Sequence, residues 1–89
     1  MAVSTFEPIA KQLHRVNFTG TTDANGNLYS TLVDTDHHKI VQTEASGNHG
    51  CVPMLDTLGR YWNYHITDYT NWNVGAGVTC TVYITYYDL

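Results

Sequence analysis

The sequence predicts an all-β protein, a small antiparallel β-sandwich of about six to seven strands. Apolar and polar side chains alternate along residues 78–87, which indicates a strand with one buried face. Clusters of Gly, Asn and Asp recur about every 8 to 12 residues and separate β-prone segments. The chain also contains seven Tyr and many Thr, which suit a pleated, half-buried surface. We therefore expect an Ig-like or jelly-roll-like sandwich.

Length and composition limit the domain organisation and the kinds of partner. Eighty-nine residues allow one domain, which we assign to residues 13–89. We assign residues 1–12 to an N-terminal segment that is either an anchor or an edge strand. The net charge is −4 and the four Lys and Arg residues are scattered, so we expect no nucleic-acid partner. The chain lacks both a secretory signal and an apolar run of roughly 20 residues, so we expect synthesis in the cytoplasm without membrane insertion.

Six segments are predicted to be strands, in the order 13–22, 27–33, 37–43, 51–55, 60–67 and 78–87. Val16 and Phe18 share one face of the first strand, and Leu28 and Leu32 share one face of the second. Between these strands, the Asn-Gly pair at residues 25–26 predicts a β-hairpin.

The later strands carry their own markers. Pro53 indicates that the fourth strand lies at a sheet edge or forms a bulge. Trp62, Tyr64 and Ile66 share one face of the fifth strand. The inward face of the last strand is predicted to carry Val78, Cys80, Val82, Ile84 and Tyr86. Its outer face of Thr and Tyr is only half polar, so it is either solvated or in contact with another subunit.

The polar loop of residues 68–77 is the candidate binding element. Tyr69, Asn71, Trp72 and Asn73 combine aromatic rings with amides. An aromatic ring can stack on the C–H groups of a sugar while an amide bonds its hydroxyls. The alternatives are that Trp72 folds back to cap the end of the sandwich, or that the loop is a surface for a ligand or partner.

A metal site is the first catalytic alternative. Asp34, Asp36, His37 and His38 provide oxygen and nitrogen donors close together in the sequence. The segment lacks the Gly and the distal Glu of a calcium loop. Adjacent His residues on a strand also point to opposite faces. We interpret the segment as a polar turn followed by a strand start, and we predict no metal ligand and no cofactor.

A thiol nucleophile or an acid–base pair is the second catalytic alternative. Cys51 follows His49 closely but opens an apolar run, and Cys80 lies on an inward face, so we expect buried, inert, free thiols. His65 and Asp68 lie near each other in sequence, but no third partner is evident. We therefore predict no catalytic residue and a non-enzymatic protein.

Three segments together carry a resemblance to a known group of proteins. They are FTGTTDANGNLYSTL at residues 18–32, GCVPMLDTLGRYWNYHITD at 50–68 and VTCTVYITYYDL at 78–89. In this order they resemble the small β-rich modules of bacteriophage and prophage virions, of the head-fibre, capsid-decoration or tail and baseplate appendage type. The resemblance covers roughly residues 9–89, and the chain departs from it in its extra His residues and in Cys80.

The resemblance implies a non-enzymatic virion structural protein that assembles as a homotrimer. Its expected partners are further copies of itself, other virion proteins and host surface glycans, and its expected location is the virion. Tyr83 and Tyr87, on the outer face of the last strand, then become the predicted subunit interface. The alternative is a glycan-binding adhesin module that uses the exposed aromatic loop.

Overall fold

The computed structural model describes residues 12–89, which form six β-strands and no helix. The strands are β1 (His14–Thr21), β2 (Asn27–Asp34), β3 (His38–Ala45), β4 (Gly50–Leu55), β5 (Tyr61–Thr67) and β6 (Thr79–Asp88). Each lies within two residues of its predicted bounds. Residues 12–89 thus contain no helix that could cross a membrane. The predicted N-terminal segment lies outside the described residues, apart from Gln12.

The strands form two three-stranded antiparallel sheets, which confirms the predicted small β-sandwich. Sheet A has the order β1-β6-β3 and sheet B has the order β2-β5-β4. β6 and β5 are therefore the central strands. Pro53 lies on β4, an edge strand of sheet B, as its missing N–H requires.

The predicted hairpin between β1 and β2 is wrong, although the turn forms. The Gly26 N–H donates to the Asp23 carbonyl at 2.9 Å, but the turn connects the two sheets. β1 instead pairs with β6 along eight residues, from His14 opposite Tyr86 to Thr21 opposite Thr79. The apolar faces of β1 and β2 can then meet across the core rather than lie side by side in one sheet. Within residues 12–89, β4 and β5 are the only consecutive strands that pair.

The inward face of β2 also differs from the prediction. Leu28 is buried, but Leu32 is 48% exposed and Val33 is fully buried in its place. The pairing with β5 shifts register between Tyr29 and Asp34, so a bulge changes which residues face inward. The Leu32 N–H donates to the Ser30 hydroxyl at 3.1 Å within this bulge.

The core fills the space between the central strands, as the alternation of β5 and β6 predicts. Its buried residues are Leu28, Val33, Tyr64, Ile66, Cys80, Val82 and Ile84. Val16, Phe18, Trp62 and Tyr86 pack against this cluster. The predicted inward faces of β1 and β5 are therefore confirmed, as is that of β6 from Cys80 to Tyr86. Val78, also predicted to face inward, lies before β6 and is not part of the core cluster.

Candidate functional site

The outer face of sheet B is where the candidate binding residues meet. Because Leu28 and Tyr64 point into the core, their neighbours on β2 and β5 point outward. Asn27 lies opposite His65, and Tyr29 lies opposite Asn63. The outward side chains on these adjacent strands are therefore two amides, a tyrosine and an imidazole.

The loop after β5 is held in one conformation by Asp68. The Asp68 carboxylate accepts hydrogen bonds from the backbone N–H groups of Thr70 at 2.9 Å and Asn71 at 2.6 Å. These bonds hold the pKa of Asp68 below its usual value. The Asn71 amide in turn donates to the Thr70 hydroxyl at 3.1 Å. The loop that carries Trp72 is thus preorganised by its own side chains.

Asn73, predicted as a ligand contact, joins this loop to the β1–β2 turn. Its carbonyl oxygen accepts the Gly75 N–H at 2.7 Å, and its amide nitrogen donates to the Ala24 carbonyl at 3.4 Å. The turn residue beneath it must be glycine, because Gly26 has a φ of 76° and a Cβ there would lie 2.7 Å from Asn73 Oδ1.

Trp72 lies over His65 on the outer face of sheet B. The two ring centroids are 4.6 Å apart, and His65 Nε2 donates to the Trp72 carbonyl oxygen at 2.6 Å. His65 Nδ1 lies 2.7 Å from Asn27 Oδ1. His65 is only 5% exposed, whereas Trp72 remains 64% exposed. Trp72 therefore covers a strand residue and still offers ring surface, as a ligand-binding loop would.

A cavity of about 390 Å³ lies at one end of this face. It is lined by Tyr29, Ser30, Thr31, Asp56, Thr57, Tyr61 and Asn63. The Tyr29 hydroxyl donates to Asp23 Oδ2 at 2.5 Å, so its ring is held in place although it is 58% exposed. This bond raises the pKa of Tyr29 and lowers that of Asp23. We call this space the Tyr29 cavity.

A second cavity, of about 290 Å³, lies beyond the other end of β5. It is lined by Gly47, Asn48, His49, Gly50, Asp68 and Tyr69. Tyr69 is 87% exposed, which makes it the most exposed of the large apolar side chains in the described part of the chain. We call this space the Tyr69 cavity. The predicted loop residues Tyr69 and Trp72 thus both offer aromatic surface to solvent.

The two predicted interface tyrosines lie on sheet A, away from these cavities. Tyr83 and Tyr87 are half-buried on the outer face of β6. The Arg15 guanidinium lies over the Tyr83 ring, 5.2 Å from its centroid, and also lies 3.6 Å from Glu44. Their role as a subunit contact stays a prediction.

Asp34, the last residue of β2, contacts both of the histidines that follow it. His37 and His38 both approach Asp34, with nitrogen–oxygen distances of 3.0 and 3.3 Å, while Asp36 stays exposed in the turn. The hydrogen bond between Asp34 and His37 lowers the pKa of Asp34 and raises that of His37. Among residues 12–89, no group of three or more His, Cys, Asp or Glu could hold a metal ion.

The surroundings of the two cysteines and of the His65–Asp68 pair do not favour thiol or acid–base catalysis. Both cysteines are free, and burial raises the pKa of Cys51 to about 11 and also raises that of Cys80. A thiol with this pKa carries little thiolate at neutral pH and is a weak nucleophile. His65 and Asp68 bond to different partners, the former to Asn27 and Trp72 and the latter to its own loop.

Several residues of this surface do not appear among the sequence-predicted sites. Tyr29, Tyr61 and Asn63 lie on strands, where the sequence pattern was interpreted as sheet structure. The available signal was their outward position, which alternates with the buried residues of β2 and β5. An aromatic or amide side chain at an outward strand position is a candidate contact residue, because the core does not account for it.

The resemblance to phage virion modules has no support beyond the sequence itself. It stays a prediction, and the function has to be argued from the geometry of the outer face of sheet B. No family model, no curated protein and no solved structure matches this chain.

Proposed function

We propose that this protein is a non-catalytic module that binds a glycan on the outer face of sheet B. The observation that carries the proposal is Trp72, which is 64% exposed and fixed over His65, on the same face of sheet B as a cavity lined by Tyr29, Tyr61 and Asn63. Flat aromatic faces suit the C–H faces of sugar rings. The amide and hydroxyl groups around them can bond sugar hydroxyls.

Preorganisation supports a binding role for this face. The Trp72 loop is held by Asp68 and Asn73, and the Tyr29 ring is held by Asp23. Groups held in place in the free protein lose little conformational entropy when a ligand binds. Exposed aromatic side chains grouped on one surface are typical of sites that contact a ligand or a partner.

A glycan array followed by calorimetry on the positive sugars tests the proposal. We expect at least one class of sugar to bind, and Trp72→Ala to weaken its affinity about tenfold or more, which corresponds to about 1.4 kcal/mol. Val41→Ala, which shortens a 53% exposed side chain on sheet A, is the matched control and should leave affinity unchanged. Absence of any bound sugar, or equal affinity in Trp72→Ala, would overturn the proposal.

A second candidate function is the self-associating virion structural protein. It is favoured by the three-segment sequence resemblance and by the half-buried tyrosines on the outer face of β6. Light scattering coupled to size exclusion tests it. A mass of about three chains that Tyr83→Ala reduces would support the homotrimer, and a monomer at all concentrations would contradict it. The glycan proposal is independent of this outcome.

A further inference from the structure

We propose that the ligand is an extended, uncharged oligosaccharide that lies along β5 and fills the cavities at both of its ends. This inference rests on the proposed sugar-binding function and specifies its ligand class. The geometry points to a chain rather than a single sugar because three aromatic positions follow β5 in succession. They are Tyr29 at one cavity, Trp72 over His65 in the middle, and Tyr69 at the other cavity.

The order of these positions follows from the strand register. Asn63, opposite Tyr29, belongs to the Tyr29 cavity, and His65, two residues further, carries Trp72. Asp68, directly after β5, belongs to the Tyr69 cavity. From residue 61 to residue 68, a strand rise of about 3.3 Å per residue gives roughly 23 Å. Each cavity alone lies at the lower limit of the roughly 300–1,000 Å³ typical of ligand pockets, so each would hold one part of a longer ligand.

The side chains that line both cavities favour an uncharged ligand. The Tyr29 cavity contains the carboxylate of Asp56, and the Tyr69 cavity contains that of Asp68. Within the described part of the chain, neither lining includes Lys or Arg. Carboxylates and amides accept hydrogen bonds from hydroxyls, whereas a uronic or sialic acid would meet like charge with no Lys or Arg to offset it. Among the described residues, the one basic side chain in either lining is His49, whose Nδ1 lies 2.9 Å from the Ser46 carbonyl oxygen.

An extended polypeptide is the other linear ligand of this length, and the sheet topology argues against it here. Bound peptides usually add a strand to a sheet edge through main-chain hydrogen bonds. β5 is the central strand of sheet B and pairs with β2 and β4 on its two sides. The outer face therefore offers side chains and few free backbone groups, which suits hydroxyl-rich rings better than a peptide backbone.

Oligosaccharides of increasing length, titrated into the 89-residue chain, test the inference. The probes are neutral gluco-, manno- and xylo-oligosaccharides from monosaccharide to hexasaccharide, oligogalacturonates as acidic counterparts, and an uncharged Ser/Thr-rich peptide. We expect affinity to rise with the length of a neutral chain, and Tyr29→Ala and Tyr69→Ala each to weaken hexasaccharide binding about three- to tenfold. Val41→Ala is again the control, and circular dichroism verifies that each variant is folded.

The outcomes separate this inference from the function on which it rests. If a short sugar binds as tightly as a long one and only Trp72→Ala weakens it, the glycan function stands and the extended ligand is wrong. Preference for oligogalacturonate would overturn the uncharged class. Binding of the peptide with no binding of any sugar would overturn both, as would the absence of any binding.

Discussion

His65 and Trp72 make two contacts with each other. The His65 imidazole donates a 2.6 Å hydrogen bond to the Trp72 backbone carbonyl, and the two rings pack with their centroids 4.6 Å apart. The strand residue thereby positions a loop residue that lies seven positions later in the chain. Because the imidazole is only 5% exposed, it is a structural support for Trp72 rather than a free ligand contact.

Replacing this support should loosen the loop while the sandwich stays folded. We expect His65→Ala to lower the free energy of unfolding by about 1–3 kcal/mol, since it removes a buried hydrogen-bonding group and a ring contact. His65→Phe keeps a ring and removes both hydrogen bonds, so it separates the two effects. Urea unfolding and the indole N–H resonance of Trp72 are the measurements. An unchanged Trp72 resonance in both variants would contradict the supporting role.

The bulge in β2 predicts unequal effects at two adjacent positions. Val33 is fully buried and Leu32 is 48% exposed. Val33→Ala should lower the free energy of unfolding by about 2 kcal/mol, through lost burial of two methyl groups and a residual cavity. Leu32→Ala, although it removes more atoms, should cost less than about 1 kcal/mol. Urea denaturation compares them, and the reverse order would show that the register without a bulge is the correct one.

The buried hydroxyl of Tyr64 predicts a stabilising substitution. Tyr64 is fully buried and its hydroxyl has no hydrogen-bond partner among residues 12–89. Burial also raises the pKa of Tyr64, which keeps the phenol neutral. An unsatisfied buried polar group costs about 1–3 kcal/mol, so Tyr64→Phe should raise the free energy of unfolding by about 1 kcal/mol.

A second Tyr→Phe substitution, at a tyrosine whose hydroxyl has a partner, is the control for the Tyr64 prediction. Tyr29→Phe removes a hydroxyl that donates to Asp23, and so it should not stabilise the protein. Thermal and urea unfolding of the two variants give the comparison. Destabilisation by Tyr64→Phe would mean that the hydroxyl has a partner in solution.

The Asp34–His37 pair predicts a dependence of stability on pH. The pKa of Asp34 lies below its ordinary 3.8, so its contribution is present above that pH and is lost as pH falls through the folded value. The pKa of His37 lies above its ordinary 6.5, so its contribution is complete below that pH and is lost as pH rises through the folded value. Both contributions are therefore complete between about pH 4 and 6.5.

Substitutions of Asp34 and His37 test how the free energy of unfolding changes above pH 6.5. We expect the free energy of unfolding to decrease above pH 6.5, and His37→Gln to make the decrease smaller. Asp34→Asn should have the same effect because it removes the partner. Because the His37 side chain is 75% exposed and that of Asp34 32%, the effect is small and should weaken further with added salt. Equal slopes in wild type and both variants would contradict the pair's contribution.

The local pattern of the sequence was sufficient for the strands and for most of their faces. In β6, Cys80, Val82 and Ile84 alternate with Thr and Tyr, and this alternation depends only on the two-residue period of a strand. Pro53 likewise indicated an edge strand or a bulge, because a missing N–H is a local property, and β4 is an edge strand. The loop of residues 68–77 was recognisable from its polar residues and glycines.

The proposed binding surface was only half predictable. Tyr69 and Trp72 were identified from their place in a loop, and both are exposed. Tyr29 and Asn63 were not identified from the sequence. They lie opposite each other only because β2 pairs with β5, which is more than thirty residues away in the chain. Asn73 was identified correctly as a loop residue. Its side-chain amide, however, bonds backbone groups of the β1–β2 turn and of its own loop rather than being left for a ligand.

The order of residue types along the chain was enough to assign the six strand segments and the side chains of β1, β5 and β6 that face the core. These properties follow from side-chain size and polarity at neighbouring positions. The three-dimensional fold was needed to show that β1 pairs with β6 rather than β2, that Val33 replaces Leu32 in the core, and that Trp72 covers His65. These features depend on which segments, distant in the chain, bury the most apolar surface when they pack together. A local sequence pattern carries no information about packing between distant segments.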